Sequence, residues 1–160
     1  LCPQFLKAGV IAFDVETTWK DKTLCLAQVG TSEGSWLIDT LAIDDISPLA
    51  GVLESNRVVK IIQYASFERS VMGRLGIDIH NVFDTHVASK KRHGHQILGG
   101  HNLASICERE LGVSVDKGEQ KSDWRTRPLT PEQLDYAALD VEVLIRLYEH
   151  FQANEPGRLL

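Results

Sequence analysis

Asp14 and Glu16 stand two residues apart, directly after the apolar run Val10-Ile11-Ala12-Phe13. Tyr136 and Asp140 stand four apart in a strongly amphipathic stretch near the other end of the chain. On a β-strand, residues i and i+2 point to one face, so Asp14 and Glu16 converge if the run is a strand. On a helix, residues i and i+4 share a face, so Tyr136 and Asp140 converge if the stretch is helical. Three acids gathered in a fold need a cation to hold them, because buried like charges repel and raise one another's pKa. Oxygen-only ligands select hard cations such as Mg²⁺ or Mn²⁺. The chemistry natural to such a cluster is metal-assisted phosphoryl transfer.

The pattern around these residues supplies the elements that would position them. Residues 10–15 read as a buried strand. Residues 24–29 and 35–38 read as two more, separated by the turn Thr31-Ser32-Glu33-Gly34. The connections are short, which predicts an antiparallel meander. Residues 58–62, rich in β-branched side chains, predict a fourth strand, and residues 81–83 a short fifth. Helices are expected over 45–53, with Pro48 near the first turn, over 66–75, ended by Gly76, and over 84–92. A further helix is expected over 102–111, with Asn102 as N-cap and Gly112 just past its end. Thr130-Pro131-Glu132-Gln133 gives an N-cap, a Pro at the first helical position and a Gln at the capping-box position. In the helix it opens, Leu134, Ala138, Val141, Ile145 and Tyr148 recur at helical spacing, while Asp135, Glu142, Arg146 and Glu149 make the wet face. A strand meander followed by alternating helices and strands predicts an α/β domain with a mixed sheet. Asp14 then sits at the C-terminal end of a central strand, the end that ligand sites in open α/β sheets favour.

At 160 residues the chain suits one domain with a sizeable core. Its 43% hydrophobic and 24% charged residues are ordinary for a soluble globular protein. No apolar stretch approaches a membrane span, and the N-terminus lacks the basic and apolar regions of a signal peptide. No membrane partner and a cytoplasmic location are therefore expected. Cys2, Cys25 and Cys107 show no metal-type or redox-type spacing, and this odd, sparse count implies free thiols in a reducing compartment. The formal net charge of −5 argues against a protein that coats nucleic acid through bulk electrostatics. It leaves room for an enzyme that meets phosphates locally.

Taken together, the Asp-x-Glu of Asp14 and Glu16 and the Tyr-x-x-x-Asp of Tyr136 and Asp140 resemble the first and third motifs of the DEDDy 3′–5′ exonucleases. The stretch Asp116-Lys117-Gly118-Glu119-Gln120-Lys121-Ser122-Asp123-Trp124, followed by Arg127-Pro128-Leu129, is similar to the ribonuclease D-like branch. The likeness runs from about Val10 to Tyr148. It implies a ribonuclease H-like fold, an α/β mixed sheet flanked by helices, as a single exonuclease domain over residues 1–160. It also implies two divalent ions, Mg²⁺ or Mn²⁺, and hydrolysis of nucleotides from the 3′ end of single-stranded RNA or DNA. The second motif departs from the family, where it usually ends in Phe-Asp, often with an Asn four residues before the Asp. The matching segment here is Tyr64-Ala65-Ser66-Phe67-Glu68. Glu68 stands where Asp is expected, and Tyr64 where Asn is common. Glu keeps the charge but moves the carboxylate out by one methylene, a shift that a metal can follow or bridge through water.

On this resemblance Asp14 bridges two metals, Glu16 and Asp140 complete the shell of the metal that binds the attacking water, and Glu68 supports the second metal. Two metals about 3.5–4 Å apart can lower a water's pKa and stabilise the leaving oxygen. Tyr136 would orient the nucleophile, since a phenol with a pKa near about 10 is a poor base at neutral pH. By the same resemblance Thr17 contacts the terminal nucleotide. Lys121, Arg125 and Arg127, just ahead of the last helix, are expected to contact nucleic-acid phosphates. Trp19 is open to two readings, stacking on a base or covering the first hairpin, whereas Trp124 reads as packing. Lys90-Lys91-Arg92 either tracks a phosphate backbone or is a wet helix end that suits the dipole. Asp84, just before Thr85, reads as an N-cap rather than a metal ligand. His93, His95 and His101 lie in a Gly-rich loop with no Cys close by, which weighs against zinc.

Each motif alone has a structural explanation. Asp-x-Glu often begins a solvated loop, Tyr-x-x-x-Asp often combines packing with a surface acid, and Glu68 alone reads as an exposed helix residue. Their occurrence together, in family order, selects the site. The rival reading is a catalytically weakened nuclease fold acting as a nucleic-acid-binding or interaction module, motivated by Glu68 and the missing Asn. Retention of Asp14, Glu16, Asp140 and Tyr136 speaks for the enzyme. A small-molecule phosphoesterase would call for a phosphate-cradling Gly loop, which the sequence lacks. No stretch resembles the accessory helical domain that ribonuclease D carries, so a compact stand-alone nuclease or a piece of a longer protein is expected.

Overall fold

A computed structural model describes residues 1–116 and 118–154. Lys117, one residue of the stretch Asp116 to Trp124, and the end of the domain expected over 1–160 lie outside the described residues. The chain opens with helix α1 (Cys2–Ala8), then strands β1 (Val10–Thr17), β2 (Leu24–Thr31) and β3 (Gly34–Asp39). A 3₁₀ turn (Ser47–Leu49) leads into the single-turn helix α2 (Ala50–Leu53). Strand β4 (Val59–Ile62), helix α3 (Ser66–Gly73), strand β5 (Val82–Asp84) and helix α4 (Thr85–His93) follow. Helix α5 (Leu103–Leu111), a 3₁₀ turn (Gly118–Lys121) and the long helix α6 (Pro131–Ala153) complete the described fold.

The strands form one sheet in the order β3-β2-β1-β4-β5. β1, β2 and β3 are the antiparallel meander that the short turns predict, and β1, β4 and β5 run parallel. Alternation along β1 divides its side chains. Ile11, Phe13 and Val15 point into a core shared with Phe5 of α1, Val52 and Leu53 of α2 and Val71 and Met72 of α3. Ala12, on the other face, packs with Ile61 of β4 and with Val141, Leu144 and Ile145 of α6. Asp14 and Glu16, at i+2 and i+4 from Ala12, belong to this second face.

α6 crosses that face closely. A Cβ on Gly30 of β2 would meet Val141 Cβ at 2.9 Å and Val141 O at 3.0 Å, so glycine is what lets strand and helix approach. The helix begins as its sequence requires. The Thr130 hydroxyl accepts from the Gln133 N–H at 3.2 Å, and the Gln133 side chain accepts from the Thr130 N–H at 3.0 Å.

Two expectations need correction. The helix expected over 45–53 is shorter, because the Asp45 carboxylate takes the Ser47 N–H (2.8 Å) and hydroxyl (3.0 Å) in a turn of its own. Pro48 then occupies the first turn, and regular α-helix starts only at Ala50. On α6, Leu134 is 41% exposed and lies outside the core face, whereas Ala137, Val143 and Leu147 are buried. Among the described residues, no helix is long and apolar enough to cross a membrane.

Candidate active site

Three elements meet at the C-terminal ends of β1 and β4. β1 brings Asp14 and Glu16, α6 brings Asp140 and Tyr136 one turn apart, and α3, which starts just after β4, brings Glu68 in its first turn. One oxygen from each of Asp14, Glu16 and Asp140 lies within 4.8 Å of the others. Among the described residues this is the one cluster of three or more His, Cys, Asp or Glu side chains spaced to hold a metal. Glu68 borders it and is only 3% exposed, with its carboxyl hydrogen-bonded to Asp14. The longer side chain therefore reaches the cluster rather than solvent.

The electrostatics show what such crowding costs. Burial pushes the Asp14 carboxyl up to about 6, held back by the Val15 N–H (2.9 Å) and by the Glu68 carboxyl, both of which favour its charged form. Burial, then the Asp14 charge, pushes Asp140 up to about 8, while the Tyr136 hydroxyl pulls the other way. Burial and the Asp14 charge push Glu68 up to about 9. Burial and the charges of Asp14, Asp140 and Glu68 push Glu16 up to about 10. At neutral pH the cluster alone cannot hold all its negative charges. The donor set is all oxygen, and Glu68 Oε2 is buried with no hydrogen-bond partner among the described residues. A hard divalent cation fits both conditions.

Tyr136 hydrogen-bonds to Asp140, and its phenol pKa is raised, first by burial and then by the charges of Asp140, Glu16 and Asp14. It stays protonated at neutral pH and acts as a donor. Its ring lies 6.1 Å from that of Trp124, which is 2% exposed and packs with Cys25, Leu26 and Ala137, the packing role read for it.

Sequence reasoning saw Asp84 only as an N-cap. It is one: Oδ1 accepts from His86 N–H at 2.9 Å and Val87 N–H at 3.3 Å at the start of α4. The same carboxylate also accepts from Tyr64 N–H at 3.1 Å and Ala65 N–H at 2.9 Å. Tyr64 has a positive φ of 60°, an unusual conformation for a residue with a side chain. Asp84 thus fixes the turn that launches α3 and aims Glu68. No local signal could have shown this, because the partners lie 19 and 20 residues away.

The acids floor a cleft of about 480 Å³, whose walls include Thr17, Trp19, Lys22, Phe67 and Lys121. Thr17 follows a slip in the β1–β2 register, a bulge of the kind that re-aims side chains beside sites. Trp19 is 73% exposed, with Nζ of Lys22, from the same hairpin turn, 4.9 Å from its ring centroid, so the ring projects into solvent instead of covering the strands. Nothing in the sequence marks Lys22, and Phe67 stands in the second motif beside Glu68, whose carboxylate alone the chemistry singles out.

Arg127 is a correction. Its guanidinium is bidentate to Asp39 (2.6 Å to each oxygen) and donates to the carbonyls of Cys25 (3.0 Å), Trp124 (2.8 Å) and Thr126 (2.8 Å). With its donors engaged, it ties the segment before α6 to β2 and β3 instead of facing phosphate. The histidines are not gathered. His93 and His150 pair with Glu110, and His101 Nδ1 meets Ser89 Oγ at 2.9 Å. Arg92 lies 3.7 Å from the same Glu110.

The family model described as 3′-5′ exonuclease matches residues 1–154. Ribonuclease D of Pseudomonas paraeruginosa is 37% identical over 127 residues, covering 77% of this chain and 32% of that protein. The structure of Escherichia coli RNase D, titled an exoribonuclease involved in structured RNA processing, superposes with a TM-score of 0.80 at 29% identity, covering 95% of this chain and 42% of that one. The structure of Brucella melitensis NrnC with bound Mg²⁺ gives a TM-score of 0.80 at 28% identity, covering 93% of this chain and 74% of that one. These neighbours share the mixed five-stranded sheet flanked by helices, the ribonuclease H-like exonuclease fold. The chain spans between 18% and 41% of the length of curated relatives that it matches.

Proposed function

We propose, from the premise that this chain belongs to the 3′-5′ exonuclease family, that it removes nucleotides from the 3′ end of single-stranded RNA in a divalent-metal-dependent hydrolysis. The observation that carries this is the convergence of Asp14, Glu16 and Asp140 on one point, with Glu68 at its edge. These carboxylates would hold two ions, Mg²⁺ or Mn²⁺. When bound, such ions supply a water of lowered pKa and a counter-charge for the leaving oxygen. The protein's own part is placement. The Tyr136 hydroxyl, held by Asp140, orients the attacking water. Thr17 and Lys121 on the cleft wall meet the terminal nucleotide and its phosphate, and Trp19 offers a ring face to a base. RNA is favoured as substrate because relatives are named ribonuclease D and exoribonuclease. The buried Glu68, bonded to Asp14, supports a working site over a disabled one. Free Cys2, Cys25 and Cys107 suit a reducing, cytoplasmic setting.

Matched RNA and DNA oligonucleotides, labelled at either end, test the reading. With Mg²⁺ or Mn²⁺ the RNA should shorten stepwise from the 3′ end, faster than the DNA, and EDTA should stop it. Shortening from the 5′ end, or undiminished cleavage in EDTA, refutes the proposal.

A further inference from the structure

A second cleft, of about 530 Å³, opens beside the first and is lined in part by Lys20, Asp21, Asp123 and Arg125. The two clefts share Trp19 and Lys121. The first is floored by acids. The second carries Lys20, Lys121 and Arg125, all exposed, against Asp21 and Asp123. In a chain of net charge −5 this is a local reversal of sign.

The two acids serve their own loops. Asp21 accepts from the Thr18 hydroxyl, a contact that also lowers its pKa. Asp123 accepts from Arg125 N–H at 3.1 Å and braces the guanidinium at 3.2 and 3.4 Å. Lys20 and Lys121 have no ion-pair partner among the described residues. The Arg125–Asp123 pair is solvent-exposed, and pairs of that kind hold weakly enough for a phosphate to compete. At the junction stands Trp19, the most exposed aromatic of the site. Lys22 sits over the ring, and an exposed ring among cations is the arrangement that single-stranded nucleic acid uses, bases on the ring and phosphates on the charges.

We infer that the second cleft holds the strand 5′ of the scissile bond, with a base against Trp19 and, beyond the phosphate on Lys121, successive phosphates on Lys20 and Arg125. The inference rests on the first cleft being the 3′-end site. It adds the direction in which the chain leaves that site and makes binding depend on substrate length.

Binding of a 5′-labelled heptauridylate in EDTA, followed by fluorescence anisotropy between 50 and 200 mM salt, tests this without cleavage. Each phosphate contact on a single strand contributes roughly 0.7 to the slope of log affinity against log salt. The double substitution Lys20→Gln with Arg125→Gln should flatten that slope by about 1.4. Lys7→Gln with Arg57→Gln removes the same charge from surfaces outside both clefts and should leave the slope near the wild-type value. An unchanged slope in the first variant, an equal flattening in the second, or a wild type that does not bind the heptamer overturns the track. Cleavage with Mg²⁺ is scored separately. A wild type that binds with the expected slope but leaves the RNA intact keeps the phosphate contacts of the second cleft but removes the exonuclease reading, and with it the assignment of those contacts to the strand 5′ of a scissile bond.

Discussion

At the scale of single residues, the site turns on where protons sit. Tyr136 cannot serve as a base near neutral pH, because its phenol is pushed above its ordinary value by burial and by neighbouring carboxylates. Its usefulness lies in a hydroxyl held in one orientation. Tyr136→Phe keeps the ring against Trp124 and loses only that hydroxyl. Cleavage should slow by roughly 10–1000-fold, the range of a misoriented nucleophile, while metal affinity changes little. A single-turnover rate alongside a metal titration checks both, and a wild-type rate would take the hydroxyl out of the chemistry. Glu68 makes the sharper test, because it is where the chain departs from its family's pattern. Its burial and its bond to Asp14 predict that Glu68→Ala lowers activity by roughly 10–100-fold, the usual cost of losing a group that supports metal ligands. Glu68→Asp should retain most activity, at a higher metal requirement, because the shorter arm must be bridged by water. If Glu68→Ala is silent, the residue has no place in the site.

At the scale of elements, the start of α3 is held from outside by one side chain. Asp84→Ala removes the cap of α4 and frees the Tyr64 and Ala65 N–H groups. A lost cap costs about 1 kcal/mol and each of the two further hydrogen bonds about 0.5–1 kcal/mol, so stability should fall by ~2–3 kcal/mol. Activity, assayed well below the melting temperature, should fall further than that loss explains, because the turn that aims Glu68 is released. Equal activity at that temperature would mean that the turn holds without Asp84. This element also shows what a sequence does and does not disclose. The strand of Asp14 and Glu16, the helix of Tyr136 and Asp140, the Thr130–Gln133 capping box and the Asp84 and Asn102 caps were legible, because each depends on periodicity or partners within a few residues. α1 was not, since Cys2–Ala8 is too short for a periodic signal and its N-cap has no side-chain hydrogen bond. What anchors it is Phe5 packed edge-on against Trp36, 5.3 Å away and in another element. Arg127 carries no local sign of its role for the same reason, its Asp39 partner being 88 residues distant. Lys60 reads as an ordinary strand residue, yet it is fully buried, with Nζ on the carbonyls of Ser55 (2.6 Å) and Val58 (2.8 Å) and burial lowering its pKa to about 8.

At the scale of the whole molecule, the four carboxyls link stability to pH. Unfolded, they titrate near about 4, and folded they titrate at about 6 to 10. Between those limits the folded state holds more protons than the unfolded one, so their contribution to stability falls as pH rises. The metal-free protein should therefore lose melting temperature between pH 5 and pH 8 relative to Asp14→Asn, in which one charge is gone. Mg²⁺ or Mn²⁺ should raise the melting temperature of the wild type more at pH 8 than at pH 6, since binding must displace fewer protons. Thermal melts of both proteins, with and without metal, check this; a stabilisation independent of pH would show that the carboxyls are not where the ions bind. One feature of the architecture bears on motion. α6 carries Tyr136 and Asp140 in its first half, while Val143, Leu144, Leu147 and Phe151 in its second half are sealed into the core. It is a single rod of 23 residues, pressed onto β2 at Gly30. A rod clamped along its length cannot tilt at one end without opening the core at the other. On the proposed function, release of a cut nucleotide would fall to the exposed turns that bear Trp19 and Lys121, with α6 held still beneath them.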